Sequence, residues 1–463
     1  MTTTGAPGPR LARSSGAGPA RRPVRIAHLG LGSFSRAHLA WYTEHAPDSD
    51  DWGIAAFTGR RPDLADALAP QDGLYTLVVR GAEADSFEVV SSLSAVHAAA
   101  EHAAWLGRAR SPGLAVVTLT VTEAGYRRAG DGSLDLGDPE VARDVEALRH
   151  DPTAPVTTVP ARLLGGLLAR HRAGREPVAV VPCDNLPDNG GVAARVVRDA
   201  ARAVDPAHLP VVGQMASFVT TMVDRITPEA TAADADLVAR ATGRSDAAPV
   251  VTESFSEWVI SGRFPVGRPA WDRAGALVVD DVVPFEQRKL WLLNGAHSLL
   301  AYAGSVRGHL TVADAIADPV CRTWVEDWWD EAGRYLPLPA DTVTSYRQAL
   351  AERFSNRRIR HLLAQIAVDG SQKLPVRVLP ALRAARADDR PATASARVLA
   401  AWVCHLRGRG APVQDARADA ARAAAAGTVA EAVRGVLALL DPELAADPGL
   451  RDTMAAEVSR LEA

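Results

Sequence analysis

From Val24 onward, short runs of β-branched and apolar residues alternate with stretches whose apolar positions recur every three to four residues. A strand buried on both faces reads as an unbroken apolar run, so such runs separated by helical patterns predict βαβ units and a mostly parallel sheet. The predicted strands are 24–29, 53–58, 114–122 and 178–183, with 74–79 and 87–93 as an inserted antiparallel pair. Helices are predicted at 35–44, 139–149, 158–172 and 191–203. Past Pro284 the pattern changes to long Ala-, Leu- and Arg-rich segments, which predicts a mainly α-helical second half and a boundary near 284–288. The last fifty residues, including 416–426, are the strongest helix formers by propensity and read as packing helices.

Composition narrows the class. The 463 residues exceed one ordinary core, so two domains are expected. With 51 basic and 55 acidic side chains the net charge is −4, which argues against nucleic acid or a membrane surface as partner. Cys183, Cys321 and Cys404 lie far apart, without the spacing of a zinc site or a disulfide framework, so no metal is expected and a reducing cytoplasm fits. Residues 1–22 are rich in Gly, Pro, Ser, Ala and Arg, contain no acid, and read as a disordered tail without a secretory apolar core.

The turn Gly30-Leu31-Gly32-Ser33-Phe34-Ser35 leaves the first strand and opens the first helix. In that context a GxGxxG pattern lets the backbone turn tightly and approach a pyrophosphate at the helix N-terminus. Ser35 stands where the third glycine would be. The candidate cofactor contacts are Ile26, Gly30, Leu31, Gly32, Ser33, Phe34 and, after the second strand, Arg60. The segment Gly59-Arg60-Arg61-Pro62-Asp63 offers both arginine and carboxylate at the place that selects the cofactor; NAD is expected, with NADP open. The organisation is thus an α/β N-terminal Rossmann-type domain over 23–285 and a helical domain over 286–463.

On an α-helix running from Phe285, Lys289, His297 and Asn294 fall at roughly 0°, 80° and 140°, within one broad face. Flanking leucines would desolvate the lysine and lower its pKa towards the range of a general base, which alcohol oxidation needs. The competing reading has Lys289 reaching solvent and His297 in an ordinary core position. Asn185, after the run 178–183, and Asn294 could each aim an amide N–H at an alkoxide or carbonyl oxygen. Asn185 also reads as a plain turn residue.

Five groups occur in order: Gly30-x-Gly32 with Arg36-Ala37-His38; Thr120-x-Thr122-Glu123-x-Gly125-Tyr126; Cys183-Asp184-Asn185; Met222-Val223-Asp224-Arg225-Ile226-Thr227-Pro228; and Lys289-x4-Asn294-x2-His297. In this the chain resembles the mannitol dehydrogenase family of polyol-specific long-chain dehydrogenases, from residue 24 to at least residue 380. The resemblance implies a nicotinamide-dependent oxidoreductase with a lysine base at Lys289, oxyanion-binding Asn185 and Asn294, a substrate-contacting His297 and a site between the domains. Asp224 and Arg225 either line the sugar site or pair with each other.

Within the family, Gly267-Arg268-Pro269-x-Trp271, the stretch around Lys289 and Gln365-Ile366-Ala367-x-Asp369-Gly370-Ser371-Gln372-Lys373-Leu374-Pro375 resemble the fructuronate reductases more than the mannitol 2-dehydrogenases. The latter would be expected to carry arginine where Gln365 stands, eight residues before Lys373. A hexonate brings a carboxylate that Lys373 or a nearby arginine could meet; alternatively Lys373 merely caps a helix. Mannitol 1-phosphate is a further candidate through the cluster Arg357, Arg358 and Arg360, which also reads as a solvated face. From another class, a non-catalytic nucleotide sensor would keep the first domain, but the intact lysine and asparagines speak against it. The expected partners are a small sugar alcohol, hexonate or ketose; the chain itself would be a monomer or simple homo-oligomer.

Overall fold

The computed structural model describes residues 8–462, in two compact units, Met1–Val282 and Val283–Ala463. In chain order the strands of the first unit are β1 Val24–Leu31, β2 Gly53–Thr58, β3 Tyr75–Arg80, β4 Asp85–Val90, β5 Leu93–His97, β6 Val116–Leu119, β7 Val178–Pro182, β8 Ala216–Phe218, β9 Thr220–Asp224, β10 Val250–Glu253, β11 Glu257–Ser261 and β12 Leu277–Val278. Six form one sheet, in the order β5-β2-β1-β6-β7-β8, with every neighbour parallel. Its strands bury both faces. Ile54 and Ala56 of β2 join one core cluster while Ala55 and Phe57 join the other, and Val178/Val180 and Ala179/Val181 of β7 divide in the same way. That two-sided burial explains why the strands read as continuous apolar runs.

The helices Pro139–His150, Val159–Arg172 and Asn189–Val204 follow the expected pattern and bury their apolar stripes against one face. The inserted pair is present: β3 and β4 are antiparallel, with β10 joining β3. The run 87–93 nevertheless straddles two strands, because the chain turns at Ser91 and Ser92 and re-enters the main sheet as β5. The run 114–122 yields only β6, since Thr122 takes a positive φ of 63° and begins a turn. The predicted helix 35–44 is two helices, Ser33–Ala37 and Leu39–His45. Between them the buried His38 ring packs on Phe34, Tyr42 and Trp258, and its Nε2 lies 3.1 Å from the Glu257 carbonyl.

The expectation of disorder over 1–22 is corrected for 8–22; residues 1–7 lie outside the described residues. Leu11 is buried and its N–H donates to Ser245 O. The Arg13 guanidinium donates to the carbonyls of Ser91 and Leu93 at 2.7 and 3.1 Å. A segment too polar to make its own core is ordered by borrowing acceptors and apolar surface from the rest of the unit.

The second unit is helical, as the loss of β-branched runs predicts. Its Thr393–Leu406 helix is buried along nearly its whole length and packs against the terminal Pro448–Glu462 helix. Among the described residues no helix is long and apolar enough to cross a membrane.

Candidate functional site

In the main sheet the strand order reverses between β1 and β6, and in such sheets ligands bind outside the carboxyl ends at the switch point. The turn Gly30-Leu31-Gly32 lies there. Gly30 has φ +99°, and a Cβ on it would stand 2.1 Å from Thr120 O, so only glycine allows β1 and β6 to approach at this place. At Gly32 a Cβ would meet nothing nearer than Gly30 O at 3.7 Å, so its missing side chain keeps open space above the backbone. Ser35, in place of a third glycine, accepts from Gly32 N at 3.0 Å and donates to Gly32 O at 3.1 Å, closing the turn with its hydroxyl. The first-turn N–H groups of Ser33 and Phe34 then remain as donors for an anion.

These features fit a dinucleotide pyrophosphate. Arg60 lies exposed just beyond β2, on the same edge of the sheet. Ile26 is a correction: it is fully buried in mid-strand within the core and has no surface to offer a cofactor. Leu31 is also buried, at the strand's end. Below the turn, His28 is held between Thr118 Oγ1 at 2.9 Å and Thr120 Oγ1 at 3.1 Å, and burial pulls its pKa down to about 4.

The carboxyl end of β7 presents Cys183-Asp184-Asn185. Asp184 is the organiser: it accepts from Thr122 N and from the Tyr126 hydroxyl, both at 2.7 Å, and burial raises its pKa. Asn189 Nδ2 donates to Asp184 O and Thr221 O, and Thr221 Oγ1 to Pro182 O. The ends of β6, β7 and β9 are thereby tied together, and Asn185 stands exposed on the turn so fixed. Cys183 is fully buried, with its thiol pKa pushed up by desolvation. Asp184, Tyr126, Asn189 and Thr221 were not singled out as site residues by sequence reasoning, although the first two sit inside quoted motifs.

In the second unit, Lys289–Gly295 and Leu300–Gly304 are π-helical, flanking the α-helical turn Ala296–Leu299. This corrects the α-helical angles used above. In an i→i+5 helix, residues five apart stand one turn above each other, so Lys289 and Asn294 share a face more closely than in an α-helix. The wider turn is sustained by side chains. Trp328 and Trp329 Nε1 donate to the carbonyls of Trp291 and Leu292, each at 2.9 Å, and Ser298 Oγ donates to Asn294 O at 3.1 Å. Gly295 admits the Trp328 ring, which a Cβ would approach to 2.6 Å.

Lys289 and His297 are buried and Asn294 is half-buried. The Asn294 amide and the His297 ring nitrogens have no hydrogen-bond partner among the described residues. His297 packs on Phe354 and His361; burial, with His361 and arginines nearby, holds its pKa well below the ordinary value, which favours the uncharged ring.

The remaining candidates divide. Asp224 is buried at the end of β9, opposite Glu257 of β11. Arg225 is a correction: it is buried over the Trp41 ring and donates to the main-chain carbonyls of Ala37 and Glu253, holding backbone instead of facing a sugar or pairing with Asp224. Lys373, on the Gly370–Arg377 helix, donates to Ile366 O at 3.3 Å. One turn on, Arg377 Nη1 reaches Ser298 Oγ at 3.2 Å, a contact not foreseen. Arg357, Arg358 and Arg360 are exposed on a turn. His309, Asp318 and Cys321 bring three potential metal-ligating atoms within 4.8 Å of one another. Arg307 Nε holds the same Asp318 oxygen at 2.6 Å while Asp318 caps the Pro319–Gly333 helix, which accounts for the cluster structurally.

Comparison with known proteins agrees with this architecture. Residues 24–273 match the mannitol dehydrogenase Rossmann domain and residues 281–462 the mannitol dehydrogenase C-terminal domain. The chain is 40% identical over 373 residues to a D-mannonate oxidoreductase of Escherichia coli (strain K12), covering 78% of this chain and 76% of that protein. It is 34% identical over 405 residues to a mannitol 2-dehydrogenase of Aspergillus fumigatus, covering 84% and 80%. Among solved structures it is similar to D-sorbitol dehydrogenase in substrate-free form, with a TM-score of 0.88 at 28% identity over 98% of both chains. The ternary complex of Pseudomonas fluorescens mannitol 2-dehydrogenase with NAD and D-mannitol matches with a TM-score of 0.75 at 31% identity, covering 95% of this chain and 92% of that one.

Proposed function

The chain belongs to the mannitol dehydrogenase family, and from that premise we propose that it is an NAD-dependent, metal-independent oxidoreductase interconverting D-mannonate and D-fructuronate. The observation that carries the chemistry is the π-helical segment Lys289–Gly295, which brings a buried lysine and an unengaged amide one turn apart. Similarity to the D-mannonate oxidoreductase supports the substrate.

When bound, the nicotinamide cofactor supplies or accepts the hydride. In reduction, the amide N–H of Asn294 donates to the ketone oxygen and stabilises its developing negative charge, a role that the family resemblance also gives to Asn185. The Lys289 ammonium delivers the proton that completes the hydroxyl. In oxidation, neutral Lys289 removes the hydroxyl proton as the carbon loses hydride. The ring nitrogens of His297 are offered to sugar hydroxyls, and Asp224 and Lys373 are each proposed as substrate contacts. Gly30, Gly32, Ser33 and Phe34 would hold the pyrophosphate, with Leu31 and Arg60 beside it. NAD is preferred over NADP because the bound neighbour holds NAD.

The second reading is a mannitol 2-dehydrogenase, favoured by the 34% identity to the fungal enzyme. Parallel assays of NADH and NADPH oxidation with fructuronate, tagaturonate, fructose and fructose 6-phosphate separate the readings. A clear preference for fructuronate with NADH is expected. Preference for fructose moves the enzyme to the second reading, and preference for the phosphate ester points to mannitol 1-phosphate as the alcohol. Cofactor binding without turnover of any of the four would favour a nucleotide sensor.

A further inference from the structure

The Gly370–Arg377 helix carries two cations one turn apart, Lys373 and Arg377, and Arg377 reaches into the turn that bears Asn294. Like charges at i, i+4 oppose each other even on an exposed helix. Here both are partly buried, and neither has an ion-pair partner among the described residues. The acids around them are committed to other groups. Asp369 accepts from Ala416 N at 2.9 Å, and Asp415 accepts from the main chain and hydroxyl of Ser371 and from Arg417 N. Burial, and for Lys373 the neighbouring Arg377, lower both pKa values.

The guanidinium is only partly used. Nη1 goes to Ser298 Oγ at 3.2 Å and, weakly, to Asn294 O at 3.5 Å. Nε and Nη2 have no acceptor among the described residues, and together they form the edge that meets a carboxylate bidentately. Lys373 likewise spends one donor on Ile366 O and keeps two. Asp369 and Asp415 offset part of the Lys373 charge from a distance but pair with neither cation, so the open guanidinium edge still matches an anion better than a lone hydroxyl.

We infer that Arg377 is a specificity-determining residue that, with Lys373, clasps the carboxylate at the end of the open-chain substrate remote from the ketone. This rests on the hexonate reading above. It separates an acidic substrate from a neutral polyol by charge, beside the same Asn294 that addresses the reacting oxygen.

The test compares wild type, Arg377→Gln and Arg377→Lys in NADH-dependent reduction of fructuronate and of fructose, with thermal melting as a check on folding. Loss of a charge-assisted carboxylate bond should raise KM for fructuronate in Arg377→Gln by about tenfold to a hundredfold. KM for fructose should stay within about twofold, and Arg377→Lys should recover part of the loss. Equal loss on both substrates, or none on fructuronate, overturns the inference while the hexonate reading stands. If wild type turns over fructose but not fructuronate, the hexonate reading itself falls and takes the inference with it. Should the variants fail to fold, inhibition of wild-type fructose reduction decides. Mannonate should compete at least about tenfold more tightly than mannitol, and equal competition overturns the clasp.

Discussion

The indole N–H of Trp328 donates to the main-chain oxygen of Trp291 at 2.9 Å, while the same ring fills the space where a side chain on Gly295 would begin. The π turn therefore depends on one aromatic residue twice, for an acceptor's satisfaction and for close approach. Gly295→Ala pushes the ring away, and overpacking of this kind costs about 1–3 kcal/mol. A lower melting temperature and reduced turnover are expected, with NADH binding retained. An unchanged melting curve would show that the ring does not need the space.

Lys289→Ala should lower turnover by at least about 10²-fold, the usual scale for losing an acid–base group. NADH titration followed by fluorescence should give nearly the wild-type affinity. Near-normal turnover would remove Lys289 from the proton transfer.

The two glycines of the nucleotide turn should respond differently to alanine. Gly30→Ala collides with Thr120 O and imposes a side chain at φ +99°, so it should destabilise the unit. Gly32→Ala meets no atom of the protein closer than 3.7 Å, so it should melt like wild type yet bind NADH more weakly. Equal losses of stability in the two variants would contradict the assigned roles.

Acid should weaken the fold before most of the carboxylates titrate. Burial lowers the pKa of His28 and His405 from about 6.5 to about 4, and that of His297 falls well below its usual value. The unfolded chain therefore binds more protons between these limits. Stability present above about 6.5 is lost as pH falls through the window, by roughly 3 kcal/mol for His28 alone. Denaturant midpoints measured from neutral pH down to about 5 should fall steadily, and His28→Asn should flatten the slope. A pH-independent midpoint would rule out the linkage.

The main sheet was legible in the sequence because burial on both faces leaves an unbroken apolar run, as in β2 and β7. The segment 8–22 was not, because its order comes from acceptors elsewhere in the chain, such as Ser91 and Leu93 for Arg13. Lys289, Asn294 and His297 stood out as candidates through spacing and resemblance. Their helix type was missed, since the residues that sustain the π turn, Trp328 and Trp329, lie far along the chain. Ile26 and Arg225 were misassigned for a common reason: a motif position does not say which way a side chain points, and both point into packed interior. Arg377 was within reach, four residues beyond Lys373, but its contact with Ser298 appears only once the helices are packed.

Cys183 stands two residues from Asn185, so chemical modification there would strike beside the proposed oxyanion donor. Desolvation keeps it a thiol, and its Sγ is turned back towards Val181 O at 3.7 Å. Since the thiolate is the species that peroxide and alkylating agents attack, the fold makes this cysteine chemically silent. The turn that carries Asn185 is thereby spared oxidative inactivation at its nearest sulfur for as long as the strand beneath it stays folded.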